Sequence, residues 1–172
     1  MKKLTLSVLV LSSLLGTSAQ ANNTLTFNGE VTDQTCDVNI GGVYGDTSLL
    51  LPTVPTSNLN VAGATAGTTN FTLSITGCTA PIADTPVNTL FIGNNVQPGG
   101  ILGSSGSATN VGLQLLNGTQ SIDLTAPSLQ SGLVIGAAAT SASHDFSVRY
   151  YATGAATAGT VVGSVQYEVA YD

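Results

Sequence analysis

From residue 24 onward the chain alternates between apolar and polar positions. Leu25, Phe27, Gly29 and Val31 alternate with Thr24, Thr26, Asn28, Glu30 and Thr32. Phe71, Leu73 and Ile75 alternate with Thr72, Ser74 and Thr76, and Phe146, Val148 and Tyr150 with Asp145, Ser147 and Arg149. Val111, Leu113 and Leu115 share a face opposite Gly112 and Gln114. Near the end, Val165, Tyr167, Val169 and Tyr171 stand against Gln166, Glu168, Ala170 and Asp172. A period of two puts neighbouring side chains on opposite faces of a pleated strand, so each segment predicts a half-buried strand with one face on a core. Weaker strand signals fall at 48–51, 89–92, 121–124 and 133–135. Between these segments lie turn formers: Gly41-Gly42, Asn94-Asn95, Pro98-Gly99-Gly100, Gly103-Ser104-Ser105-Gly106 and Asn117-Gly118. The Gly103–Gly106 string reads as a flexible turn. No stretch carries a 3.6-residue apolar stripe, and no fixed-period repeat occurs. Short strands punctuated at such intervals predict an all-β sandwich or barrel.

The first residues change the picture of where this domain folds. Met1-Lys2-Lys3 is a short basic start, residues 4–15 are an apolar run, and Ala19-Gln20-Ala21 has the small-x-small form of a cleavage site. That is the pattern of a secretory signal peptide over 1–21. The apolar run is too short for a bilayer span, which takes roughly 20 residues. Removing the leader removes both lysines, and Arg149 then faces nine carboxylates, a formal charge of −8. Such a surface repels phosphate, which excludes nucleic acid and anionic lipid as partners. Charged residues are only 7% of the chain, against roughly 25% in ordinary globular domains. So little charge suits a surface that other copies of the chain come to cover. Cys36 and Cys78 are the two cysteines, and an even pair in an exported protein predicts one disulfide. Two thiols and the single His144 cannot complete a four-ligand metal site.

Little points to catalysis. His144 neighbours Asp145, but adjacent strand residues point to opposite faces, which argues against their acting as a pair. There is no G-x-S-x-G elbow, no phosphate-binding loop, no dinucleotide fingerprint and no clustered carboxylate set. Asn22, Asn70 and Asn117 open N-x-S/T triplets, which are common by chance in a Thr-rich chain. The expectation is a protein with no catalytic residue, no metal and no cofactor.

A set of ordered motifs gives the positive reading. Phe27-Asn28-Gly29-Glu30-Val31 precedes Cys36; Leu73-Ser74-Ile75-Thr76-Gly77-Cys78 carries the second cysteine. Ala108-Thr109-Asn110-Val111-Gly112-Leu113-Gln114-Leu115 follows, and Arg149-Tyr150-Tyr151-Ala152-Thr153-Gly154 comes late in the chain. Tyr171 is penultimate and Gly159 is fourteenth from the end. In this order and spacing the chain resembles the pilins of the chaperone–usher pathway, especially type 1-like fimbrial structural subunits.

The resemblance implies an incomplete immunoglobulin-like sandwich that lacks its last strand, with a groove left between the first and last strands. It implies a signal peptide at 1–21, an N-terminal donor-strand extension at 22–33 and a pilin domain at 34–172. Leu25, Phe27, Gly29 and Val31 become donor positions that enter a neighbour's groove. Gly29 weakens an ordinary strand but suits a backbone lying close over a shallow pocket. Gly159, Val165, Tyr167, Val169 and Tyr171 become the groove edge and the chaperone-recognition positions. The implied partners are further copies and related pilins, a periplasmic chaperone and an outer-membrane usher, on a route through the periplasm to the cell surface. The expected role is a structural subunit of an adhesive fimbria. The other reading is a minor tip-linker or small receptor-binding adhesin subunit, although 151 residues leave no room for a lectin domain ahead of the pilin domain.

Overall fold

The strongest alternation gives the longest strands. The structure, a computed structural model, describes residues 36–171; the expected leader at 1–21 and the alternating segment at 22–33 lie outside the described residues. Among those described, eleven strands follow in order: β1 (Asp37–Ile40), β2 (Val43–Tyr44), β3 (Thr65–Thr76), β4 (Thr85–Gly93), β5 (Val96–Gln97), β6 (Ile101–Gly103), β7 (Val111–Asn117), β8 (Gln120–Ser121), β9 (Gln130–Ile135), β10 (Ser141–Ala152) and β11 (Val165–Tyr171). A short 3-10 turn, Thr56–Leu59, is the one helical piece among them, and periodicity gave no sign of it.

Two sheets result. The larger runs β2-β1-β3-β10-β7-β6-β5, with β8 added on β7; the smaller is β11-β4-β9. The antiparallel pair β3 and β10 is the spine of the larger sheet, with Phe146 opposite Phe71. Between the sheets, the Phe91 ring of the smaller sheet meets Phe146 edge-on at 4.9 Å and Phe71 at 6.3 Å. Around these rings Leu73, Ile75, Val87, Leu115, Leu133 and Ile135 are almost wholly buried. Burying each such side chain contributes about 1.5–3 kcal/mol.

The cysteines are joined, Sγ to Sγ at 2.08 Å across 42 positions. The bond ties the start of β1 to the chain just past β3, where Asp37 already pairs with Thr76. Closing a loop of that size is worth about 4 kcal/mol in the chain-entropy account.

Three local expectations are corrected. Residues 48–51 form no strand, because no described residue pairs with them; Leu50 is 92% exposed. At 121–124 the ladder stops at Ser121, and Ile122 and Leu124 are buried while the chain crosses to the smaller sheet. β7 is covered on both faces rather than one. Gly112 packs against Ile101, and the buried Gln114 accepts through Oε1 from Nε (2.9 Å) and Nη2 (2.7 Å) of Arg149.

The string from Gly103 to Gly106 is also not a free turn. Residues 104–109 and 157–162 are laced together largely by Ser and Thr side chains. Ser107 N–H donates to Thr160 Oγ1, Thr160 N–H to Ser107 Oγ, and Val162 N–H to Ser104 Oγ, each at 3.0 Å. Backbone bonds from Ala108 to Thr160 (3.0 Å) and from Ser105 to Val162 (2.9 Å) interleave with them. Gly159 permits this approach, since a Cβ there would stand 2.7 Å from Ser107 Oγ and 2.8 Å from Ala108 Cα.

Two substitutions test this packing. Thr89 is fully buried in β4, and among the described residues its hydroxyl has no hydrogen-bond partner. Thr89→Val should therefore raise unfolding stability by about 1 kcal/mol in urea titration, since a buried unpaired hydroxyl carries a desolvation cost; a loss would mean that the hydroxyl is satisfied. Gly159→Val should lower stability by about 1–3 kcal/mol through overpacking against 107–108, read by the same titration.

Candidate functional site

Three strands are too few to roof the larger sheet. Strands lie about 4.8 Å apart, so β11-β4-β9 falls short of the width presented by β3, β10, β7 and β6. On one side β11 pairs with β4, from Val165 opposite Gly93 to Tyr171 opposite Val87. On its other side, among the described residues, β11 has no strand partner. Its outer row of N–H and C=O groups is a template for another strand.

Beside that edge lies a cleft of about 730 Å³. One wall is residues 45–51, the segment without a ladder; the other is residues 161–167, which lead into β11. Its floor is made of Phe71, Phe91, Leu102, Leu113, Leu115 and Val148, all but Phe71 buried core side chains. The cleft therefore reaches the hydrophobic core from outside. One long hydrogen bond spans it, from Tyr167 Oη to the Gly45 carbonyl at 3.5 Å. The rim is apolar too: Leu49, Leu50 and Val162 are exposed by 43%, 92% and 56%.

The residues singled out by sequence take these places. Val165 and Tyr167 line the cleft. Val169 and Tyr171 are half-buried further along β11 and pack against the main core. Burial pushes the Tyr171 phenol above its ordinary pKa, and a hydrogen bond to the Cys36 backbone pulls the other way. Gly159 is off the strand, holding the 157–162 segment that becomes the cleft wall. Leu25, Phe27, Gly29 and Val31 lie outside the described residues. His144 and Asp145 do part company: His144 Nε2 is 2.8 Å from Asn117 Oδ1, while Asp145 Oδ1 accepts from Thr72 Oγ1 at 2.6 Å. Among the described residues no group of three or more His, Cys, Asp or Glu could hold a metal ion.

Sequence reasoning missed the floor as a unit, and it missed Ser104, Ser107 and Thr160, whose hydrogen bonds fix a wall. The floor residues were visible only as separate strands. The Ser and Thr signal was lost because such residues occur everywhere in this chain.

What this arrangement offers is a place for one extended apolar strand. Comparisons with known proteins show the family. A family model described as Fimbrial protein matches residues 25–172. The chain is 37% identical over 164 residues to a major fimbrial subunit of Stenotrophomonas maltophilia, covering 88% of this chain and 94% of that protein. It is 34% identical over 190 residues to a type-1 fimbrial protein A chain of Escherichia coli, covering 99% and 100%. Its fold is similar to that of the P pilus rod subunit PapA, with a TM-score of 0.59 at 11% identity over 79% of this chain and 99% of that one. It is likewise similar to a chain in the structure of a chaperone–usher pilus, with a TM-score of 0.60 at 18% identity over 91% and 99%. With a family model spanning nearly all of its length and relatives this similar end to end, the chain belongs to the fimbrial protein family.

Proposed function

We propose that the chain is a structural subunit of a surface fimbria and polymerises by placing its residues 22–33 in the cleft of the next copy. The observation that carries this reading is the outer edge of β11, unpaired among the described residues, beside a cleft floored by core side chains. An open edge and an apolar cleft are both satisfied by one incoming strand: its backbone completes the ladder and its alternate side chains fill the cleft. Strand addition to an exposed edge is a general recognition mode, and chaperone–pilin complementation is one of its known instances.

Leu25, Phe27 and Val31 are spaced to enter such a floor from one face of a strand, and Gly29 lets the backbone come close where the pocket is shallow. Burying the three side chains contributes on the order of 5–8 kcal/mol, before any ladder bonds form. Until a neighbour arrives, the open cleft is an aggregation hazard. A periplasmic chaperone fills it first, pairing with β11 and reading Tyr171 and the Gly159 region. The next subunit then displaces that strand at an outer-membrane usher. The leader at 1–21 and the disulfide fit passage through an oxidising compartment to the cell surface.

Deleting residues 22–32 should abolish the polymer ladder in unboiled gel samples while chaperone binding is kept; a ladder that persists contradicts the donor role. Phe27→Asp should leave the subunit folded and chaperone-bound yet slow the exchange step, followed as the rate of chaperone release when subunits are mixed. An unchanged rate removes Phe27 from the donor set.

A further inference from the structure

Among the described residues the smaller sheet has two outer edges, β11 and β9. A linear fibre needs one edge to accept a strand and the other to refuse it. β9 does not refuse by polarity, because Leu129 just before it and Val134 within it are 53% and 47% exposed. An apolar unpaired edge of this kind invites pairing.

What sets β9 apart is a fault in its ladder. Leu133 pairs with Val87 and Gln130 with Thr89, so Ser131 and Gly132 together oppose the single residue Asn88. Two residues against one is a β-bulge, which bends the strand and breaks the regular row of edge groups. Gly132 has φ of 127°, a conformation L side chains rarely adopt, and a Cβ there would overlap the His144 ring. That ring stands edge-on to Phe146, with centroids 4.8 Å apart. Its Nε2 lies 2.8 Å from Asn117 Oδ1, and Asn117 Nδ2 donates to the Ser131 carbonyl at 2.9 Å. Because the amide nitrogen is engaged by a carbonyl, the amide oxygen faces the ring and Nε2–H is the donor. β7 and β10 of the larger sheet thus meet β9 of the smaller one at this point.

We propose that Asn117, positioned by His144, is a plug on the second sheet edge. It engages the Ser131 carbonyl of this edge strand, and the bulge at 131–132 breaks the row of groups an incoming strand would follow. Donor strands therefore add at β11 alone, and the polymer stays unbranched. This rests on the reading of β11 as the acceptor edge.

The test uses fibres of the mature chain, in which the β11 clefts are already filled, incubated with excess fluorescent peptide of residues 22–33. Native fibres should take up label only at an open end. Asn117→Asp keeps an acceptor for His144 but loses the donor to Ser131, and its label should rise several-fold above one per fibre, the bulge still limiting uptake. His144→Leu keeps apolar packing on Phe146 but loses the N–H, and should behave alike. His144→Gln retains an N–H donor and should stay near the native level. Normal fibres of both Asn117→Asp and His144→Leu with end-only labelling would overturn the plug and leave the β11 reading standing. Native chain that forms no fibres at all would overturn both.

Discussion

The structure depends on a mismatch of width: a three-stranded sheet lies over a larger one and leaves a cleft beside β11 whose floor is made of core side chains. Two deficits coincide at one place. Among the described residues the outer backbone groups of β11 have no ladder, and Phe91, Leu113 and Leu115 line the cleft beside it. Neither deficit is unusual alone. Together they define a slot with the shape and chemistry of one extended strand, so the incompleteness of the fold and its proposed function have a single cause.

The rest of the domain holds that slot open. The disulfide pins β1 to the end of β3 at one side. On the other, the Ser and Thr lacing of 104–109 to 157–162 sets the wall that runs into β11. Gly159 belongs to this scaffold by its close approach to residues 107–108, whatever else reads it. The lacing leaves apolar groups free to face the cleft, with Val161 and Val162 among its lining.

Much of the fold was legible because alternation is a direct record of a one-sided core. β3, β10 and β11 were readable for that reason, and the two cysteines for their number and setting. β7 was under-read because both its faces are covered, so Gln114 looks like a solvent position until Arg149 is seen against it. The leucines at 49–51 imitate a strand because they are apolar, yet they stand at a cleft and not in a ladder. The bulge at 131–132 could not be read from Ser131-Gly132, since such pairs also mark turns. The cleft itself depends on which strands become neighbours, and local periodicity carries no information about that. The resemblance to pilins supplied it.

The central claim is that the segment ahead of Cys36 completes another copy and not its own body. Fibres assembled from equal parts of light and heavy isotope-labelled chain, with a photoreactive residue in place of Phe27, test it directly by mass spectrometry of the cross-linked peptides. The account requires cross-links from position 27 to cleft residues such as Leu113 or Tyr167, with mixed light–heavy pairs about as frequent as pure ones. Cross-links confined to light–light and heavy–heavy pairs would place the segment in its own subunit and contradict the account.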